Sequence, residues 1–569
     1  MHLAFVEIEH FRGIKRLAVA LSYVTAVIGE NNFGKSSLFN ALMICLGIET
    51  TGTEFDFDDD DFHADPSGDG ERAARLSIEL TFREYQAGAW NVPSLSRLSA
   101  VMTPFEGPRH QIRCRILARR DLRGGRPKVE VSFRNFVGSE MRVNDPLSLY
   151  AELRRLVPVV ALRSTRFMTH RPGVSIGAAE DSRDGDPIHE RLEDGVREIF
   201  RSLALGDVIR RDEFERAVAS MGRLVGTLAD RLGALSAEDA RLAAELRALP
   251  ARFDGPTDSA PKPIRSGFGS QSVALLALLG ALLESRGALE LAADATPIIV
   301  VEDPEAHHHP MMLASIWRLI DRLPAQKVIA TNSGELLALV PIRSIRRLVR
   351  RKDRVEVHRI NRNSLTTDDV RRIGYHVRAN RASSVFARCW LLVEGESEYH
   401  LVPELARQLG YDFGAEGIRC IEFAQCGLMP LLKVAKDLGI EWHVLTDGDS
   451  AGSAYAAMAR GAVTGSERVS DRVTELEERN IELFMWHNGF DRVYRQESGV
   501  SSAHPRRRRG KDDDARFFIE RAIDNLSKPR LAILAAEAVD EAGPSHVPRA
   551  LKQVVDICVR LARQGDATV

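Results

Sequence analysis

The sequence predicts an α/β protein whose short, mostly apolar strands end in glycine, hydroxyl or acidic residues and lead into helices. Three observations carry that expectation. Thr25-Ala26-Val27-Ile28 runs into Gly29-Glu30-Asn31-Asn32-Phe33-Gly34-Lys35-Ser36-Ser37, after which Leu38, Ala41, Leu42, Ile44 and Cys45 recur at helical spacing. Ile298 to Val301 ends in Glu302-Asp303, and Lys327 to Ala330 ends in Thr331-Asn332-Ser333. Near the carboxyl end, Trp390 to Val393 leads to Glu394, and Trp442 to Thr446 leads to Asp447. Apolar runs of this length fit strands buried on both faces of a parallel sheet, and such sheets bind ligands at their strand tips.

At 569 residues the chain exceeds a single core and implies several domains. A content of 44% hydrophobic and 28% charged residues is that of a globular protein. The net charge of −2 excludes a global cationic field, so any contact with nucleic acid must come from local patches. Six cysteines without C-x-x-C pairing read as reduced thiols, which with the absence of a signal peptide gives a cytoplasmic expectation. No apolar segment is long enough to cross a bilayer, so no membrane partner is expected.

The first apolar run opens a phosphate-binding loop. Gly29 and Gly34 permit dihedrals that turn successive N–H groups onto phosphate oxygens. Lys35 brings charge to the terminal phosphates, and the Ser36 hydroxyl reaches the magnesium ion that accompanies ATP. Asn31, Asn32 and Ser37 complete the nucleotide-binding stretch, and the helix N-terminus adds its dipole.

Residues 1–185 read as the first lobe of an ATPase head, with an acidic surface loop at Asp56–Asp61 and an antiparallel β-layer between Ala74 and Val137. Arg171 to Asp186 is Gly-, Ser- and Asp-rich and reads as a mobile loop. Residues 186–255 carry leucines at helical spacing, an insertion that forms a dimerisation arm or packs on its own domain. Residues 256–384 form the second lobe, beginning with Gly267-Phe268-Gly269-Ser270-Gln271-Ser272 before a long apolar helix.

Glu302 is placed to hold Mg²⁺ and Asp303 to orient or deprotonate the attacking water. Some 265 residues separate Lys35 from Glu302, which suits an ABC-type head with an inserted arm, two such heads sandwiching ATP in a homodimer. In that design the Gly-Phe-Gly-Ser-Gln-Ser loop contacts the nucleotide of the partner subunit. Asn332 stands where such heads carry histidine. It can hydrogen-bond near the γ-phosphate but cannot become cationic, which predicts slow turnover with ATP acting mainly as a conformational ligand. His307, His308 and His309 are consecutive and cannot all face one ion.

In the last third, strands at 388–393, 418–423 and 441–446 alternate with helices, and parallel connections bring their tips to one edge. Glu394 and, one helical turn later, Glu398 meet Asp447 and Asp449 there. Four carboxylates in one place repel one another unless cations sit among them, and hard oxygen ligands favour Mg²⁺ or Mn²⁺. Such ions activate water and stabilise a phosphodiester under attack.

Glu394-Gly395-Glu396-Ser397-Glu398 with Asp447-Gly448-Asp449 resembles the Toprim motif pair. With Phe11-Arg12-Gly13-Ile14, the G-E-N-x-x-G-K-S-S loop, Val301-Glu302-Asp303-Pro304-Glu305 and Thr331-Asn332-Ser333-Gly334-Glu335-Leu336-Leu337, nearly the whole chain is similar to the OLD (overcoming lysogenization defect) family of ATP-dependent endonucleases, in its YbjD-like branch. The resemblance implies a Toprim nuclease domain at 385–500 and a helical region at 501–569. It implies cleavage or nicking of DNA in phage defence or repair, with two metal ions in the Toprim site and one beside ATP. It matches Glu394, Glu398, Asp447 and Asp449 to metal-binding acids, and Glu482, read at a later strand, to a further metal carboxylate. It also matches Lys528 to a lysine that neutralises the phosphate in the transition state, and Arg12 to a residue near the nucleotide. Arg506 to Arg509 would hold phosphate backbone or form a solvated loop. A topoisomerase or primase also uses Toprim, but no tyrosine-bearing or template-binding module is evident. A RecF- or SMC-like DNA-clamping ATPase is the competing reading, and a helicase or defence-system partner stays open.

Overall fold

The computed structural model describes residues 1–31, 33–47, 55–64, 71–121, 123, 125–163, 294–306, 313–314, 317–318, 320–321, 323, 325–374, 382–465, 467–500 and 511–564. The chain divides into two compact units, Met1–Val27 with Asn31–Leu339, and Ile28–Glu30 with Val340–Val569. The loop from Arg171, the leucine-rich insertion, the Gly267–Ser272 run and its helix, Asn32, the triple histidine and Arg506–Arg509 lie outside the described residues.

The first unit combines an antiparallel layer with a parallel one. β1 (His2–Phe11) and β2 (Ile14–Ala20) form a hairpin whose alternation places Leu3, Val6 and Ile8 in the core. β3 (Val24–Ile28) leads through the glycine loop to α1 (Lys35–Leu46). β4 (Arg75–Arg83) pairs with β1 on one side and β6 (Arg109–Arg119) on the other. The short β5 (Thr103–Phe105) and then β7 (Lys128–Arg134) pair with successive stretches of β6. α2 (Pro146–Leu156) begins at Asp145, whose side chain accepts the Ser148 N–H at 3.2 Å, and it buries Tyr150 against the Cys45 carbonyl at the end of α1.

β8 (Val159–Arg163), β9 (Ile298–Glu302) and β10 (Gln326–Ala330) are parallel, and β10 also pairs in parallel with β3. Buried on both faces, β3, β9 and β10 are the apolar runs read from the sequence. Because all run the same way, the glycine loop, Glu302-Asp303 and Thr331-Asn332 leave from one edge. The buried Gln326 ties the layers together: its amide accepts the Leu3 N–H at 2.9 Å and donates to the Leu3 carbonyl at 2.7 Å. α3 (Gly334–Leu339) follows β10.

The second unit opens with the hairpin β11 (Ile345–Arg350) and β12 (Val355–His358), then α4 (Thr367–Ile373), capped reciprocally by Thr366 and Asp369. Four strands then alternate with helices: β13 (Cys389–Val393), α5 (Glu396–Gln408), β14 (Ile418–Glu422), α6 (Leu428–Asp437), β15 (Glu441–Thr446), α7 (Ser450–Ala462) and β16 (Val473–Glu475). They form one parallel sheet in the order β14-β13-β15-β16. α8 (Ile481–Met485), α9 (Asp491–Glu497), α10 (Lys511–Asn525), α11 (Lys528–Ala542) and α12 (Arg549–Gln564) complete it. Leu531, Val539, Leu551 and Val555 of the last two helices share one core with Leu391, Val393 and Leu401.

One expectation is corrected. Glu482 lies on the helix α8, not on a strand, because Asn480 caps that helix by accepting the Leu483 N–H at 2.9 Å. The acidic loop is held by arginines: Asp59 pairs with Arg120, Asp60 with Arg72 and Asp61 with Arg12.

Candidate functional site

Two sets of sequence-predicted residues come together, one in each unit. In the first unit, Gly34 precedes α1 at φ 95°, in the left-handed region, and a Cβ there would stand 3.0 Å from Ile14. That turn starts α1 at Lys35 and Ser36. Lys35 Nζ donates to Asn332 Oδ1 at 3.0 Å, joining the loop after β3 to the tip of β10. The Ser36 hydroxyl donates to Glu302 Oε1, joining it to the tip of β9. Hydroxyl and carboxylate thus converge where the magnesium ion of a bound nucleotide would sit.

Asp303 adopts φ 46°, and its N–H donates to the Ala330 carbonyl at 3.0 Å. Burial first, and then the neighbouring Glu302, push its carboxyl above the usual carboxylate range, with Lys35 acting in the opposite sense. A raised pKa suits a group that takes a proton from water.

Sequence reasoning assigned Glu305 no role. It accepts the Thr331 hydroxyl at 2.8 Å and the Asn332 N–H at 2.6 Å, so it orients the residue that meets Lys35. Its only sequence signal was its place in Glu-Asp-Pro-Glu. Arg12 donates to Asp61 at 2.7 Å, and its carbonyl accepts from His63 Nδ1 at 2.6 Å. It lines a cavity of about 540 Å³ together with Gly13, Asp58, Phe62 and Arg72. Gly13 lies beside Ser37, so this cavity adjoins the start of α1. Asn31 is exposed in the loop.

In the second unit the acids gather at the tips of β13 and β15. Glu394 follows β13 and accepts the Asp447 N–H at 2.8 Å. Glu398, in the first turn of α5 and 4% exposed, reaches back to the Gly395 N–H at 3.1 Å. Asp449 caps α7 by accepting the Gly452 N–H at 2.7 Å. A Cβ on Gly452 would stand 2.0 Å from the Asp447 carbonyl oxygen and 2.7 Å from Glu394, so only glycine lets α7 approach the acids so closely. Glu482, 3% exposed, accepts the Ser397 hydroxyl at 2.9 Å, and Lys528 Nζ at the start of α11 is 3.7 Å from it. Ser397 was not singled out from the sequence.

Electrostatics binds these acids into one site. Burial pushes Asp447 up to about 8, and Glu398, Glu394, Glu482 and Asp449 add to the shift in that order. Glu398 and Glu394 are raised too, each chiefly by burial. Buried Oδ1 of Asp447 and Oε2 of Glu482 have no hydrogen-bond partner. Among the described residues no three Asp, Glu, His or Cys side chains stand at metal-ligand spacing. Glu394, Glu398 and Asp449 each accept a backbone N–H instead.

Comparison with known proteins places the chain. Residues 1–384 match the family model "Protein of unknown function (DUF2813)", and residues 385–449 match "Overcoming lysogenization defect protein-like, TOPRIM domain". The chain belongs to the DUF2813 family and carries an OLD-like Toprim domain. Over 568 residues it is 38% identical to the uncharacterized protein YbjD of Escherichia coli K12, covering 99% of each chain. It is 23% identical over 471 residues to the OLD nuclease of Thermus scotoductus, covering 78% of this chain and 81% of that one. The C-terminal region of the Burkholderia pseudomallei OLD protein overlaps 32% of this chain and all of its own, with 17% identity and a TM-score of 0.25. Strands β13, β14 and β15 lie within the residues matched by the Toprim model, and Glu394 and Asp447 follow the two central strands of the sheet β14-β13-β15-β16.

The donor set of the Toprim domain fits a hard divalent cation. Two buried carboxylate oxygens lack partners, and Asp447 is raised to about 8 by burial first and then by the acids around it, which a bound cation would offset.

Proposed function

We propose that the chain is an ATP-regulated, divalent-metal-dependent DNA endonuclease. The observation that carries this reading is Asp447: a half-buried carboxyl whose buried Oδ1 has no partner, crowded by Glu398, Glu394, Glu482 and Asp449 at the tips of parallel strands in a Toprim domain. Glu394, Glu398, Asp447, Asp449 and Glu482 would hold Mg²⁺ or Mn²⁺, two ions in all. Bound there, the ions would activate water and neutralise charge on the phosphodiester. Lys528 would place its ammonium against the scissile phosphate, with Glu482 holding the lysine in position at 3.7 Å. Ser397 would keep Glu482 facing the site through its hydroxyl.

Lys35, Ser36, Gly29, Gly34 and the flanking Asn31, Asn32 and Ser37 would cradle the phosphates of ATP. Ser36 and Glu302 would hold its magnesium ion, and Arg12 would border the nucleoside end. Asp303 would accept the proton of the attacking water. Asn332 would keep Lys35 aimed but donate no positive charge, which favours slow turnover and a conformational role for ATP. A homodimer of heads, residence in the cytoplasm and a task in phage defence or DNA repair complete the reading. The 23% identical relative named OLD nuclease supports it.

Nicking of a supercoiled plasmid in Mn²⁺ or Mg²⁺ tests it. Wild type should convert the plasmid to open circle, Asp447→Ala should not, and Lys35→Ala should lose ATP hydrolysis. Cutting by Asp447→Ala at the wild-type rate would refute the site. Absence of cutting by either protein, with ATPase intact, would favour a DNA-clamping ATPase.

A further inference from the structure

The outward face of the β6–β7 ribbon in the first unit belongs to neither site. Alternation along β6 sends Ile112, Cys114, Ile116 and Ala118 into the core and Arg113, Arg115 and Arg119 outward. On β7 the residues directly opposite are Arg134 across from Arg113, Ser132 across from Arg115 and Lys128 across from Arg119. On β4 the residue facing Arg119 is Arg75. Arg75, Arg119 and Lys128 therefore form a row of three like charges across three neighbouring strands, all exposed.

Like charges directly opposite one another destabilise a sheet. Opposing acids relieve only part of the charge. Glu79 serves both Arg113 and Arg134, the latter at 3.2 Å, and Glu130 stands 3.4 Å from Arg119. Arg115 is held below the usual guanidinium range by burial first and then by Arg134, with Glu79 and Glu9 acting in the opposite sense and Arg75 adding to the lowering. Arg123 and Arg126 in the β6–β7 connection extend the exposed positive surface beyond the row, while Asp121 there binds the Arg123 N–H.

We infer that this ribbon face binds the phosphate backbone of duplex DNA. A chain with a net charge of −2 has no general attraction for polyanions, so a concentrated cationic face is where such attraction resides. Neighbouring strands set Arg75 and Lys128 ~4.8 Å to either side of Arg119, and Arg113 and Arg115 stand ~6.8 Å apart further along β6. Such a cluster of charge suits sequence-independent contact with a rigid, charge-dense duplex. The inference deepens the endonuclease reading by giving it a DNA-holding surface, and rests on that reading for the choice of DNA as the polyanion.

Fluorescence anisotropy of a labelled duplex, with the full chain in EDTA so that no cutting intervenes, tests the surface. The triple variant Arg75→Glu, Arg119→Glu, Lys128→Glu should bind at least about tenfold more weakly at low salt. Its slope of log affinity against log salt should be shallower by about 2–3, near 0.9 for each phosphate contact removed. Arg119→Lys with Lys128→Arg should keep wild-type affinity and slope. Thermal melting at the wild-type temperature certifies that the triple variant is folded. Should the variant prove misfolded, the single Lys128→Glu exchange carries the test, with a slope shallower by about 1. Unchanged affinity and slope in folded variants, or a wild type that binds no duplex, would overturn the inference. If wild type binds and the variant does not while neither nicks plasmid, the surface stands and the nuclease reading falls. If both nick and both bind alike, the surface falls alone.

Discussion

Asp447 illustrates how a side chain's environment sets its chemistry. Its carboxyl is raised to about 8 chiefly by burial, so the folded protein favours its protonated form. A group whose folded pKa exceeds its unfolded value stabilises fully below the unfolded pKa, and that stability is lost as pH rises through the folded value. The metal-free protein should therefore lose melting temperature between about pH 4 and pH 8. Asp447→Asn should flatten that decline, and Mn²⁺ should raise the wild-type melting temperature more at pH 8 than at pH 6. A melting curve equally pH-dependent in Asp447→Asn would contradict this account. Because Glu394, Glu398 and Asp447 influence one another, the decline belongs to the group rather than to one residue. Gly452 belongs to this scale too. Gly452→Ala must move the start of α7 off the Asp447 carbonyl, destabilising the chain by about 1–3 kcal/mol in urea unfolding.

At the level of elements, short turns at strand tips position both sites. In the first unit the link from Glu305 through Asn332 to Lys35 ties the loop after β9 to the loop after β10 and to α1. Glu305→Gln removes the charge from two hydrogen bonds, each contributing about 1.5–3 kcal/mol when charge-assisted. ATP turnover should fall by about tenfold or more while ATP is still bound, measured by phosphate release and by nucleotide titration. Unchanged turnover would remove Glu305 from the site. In the second unit Arg347 of β11, 8% exposed, donates to the carbonyls of Ala387, Leu438 and Gly439, and so holds the hairpin to the chain before β13 and after α6. Arg347→Met strands the buried carbonyls of Ala387 and Leu438 and the half-buried one of Gly439, and should lower the melting temperature without altering which metals bind, as read by Mn²⁺ titration. His443 of β15 shows a buried polar group fully used in structure. The Asp471 carbonyl can only accept, so Nδ1 carries the proton and Nε2 takes the Thr474 hydroxyl; burial holds the ring down at about 4, uncharged at neutral pH.

For the whole molecule, the parallel cores were legible because strands buried on both faces leave unbroken apolar runs, and glycines and acids mark their exits. The glycine loop, Glu302, Glu394 and Asp447 were read from those exits, and the sheets place them where parallel topology demands. Glu482 was legible as an acid but not as a helical one, since Ile481-Glu482-Leu483 alternates like a strand and only Asn480 signals the cap. Glu305 and Ser397 were not legible because their partners, Asn332 and Glu482, lie 27 and 85 positions away. The row of Arg75, Arg119 and Lys128 was hidden likewise, since only strand register makes them neighbours. The burial of α11 and α12 in the same core as β13 also depends on topology that local spacing does not encode.

The central claim is that Asp447 and the acids around it form a cation-holding centre. Titration of the nucleotide-free chain with Mn²⁺, followed by loss of the free-ion electron paramagnetic resonance signal, tests it most directly. The account predicts saturable manganese binding that survives in Lys35→Ala and is lost in Asp447→Asn and Glu398→Gln. Binding of the same strength and number of ions in all four proteins would contradict it.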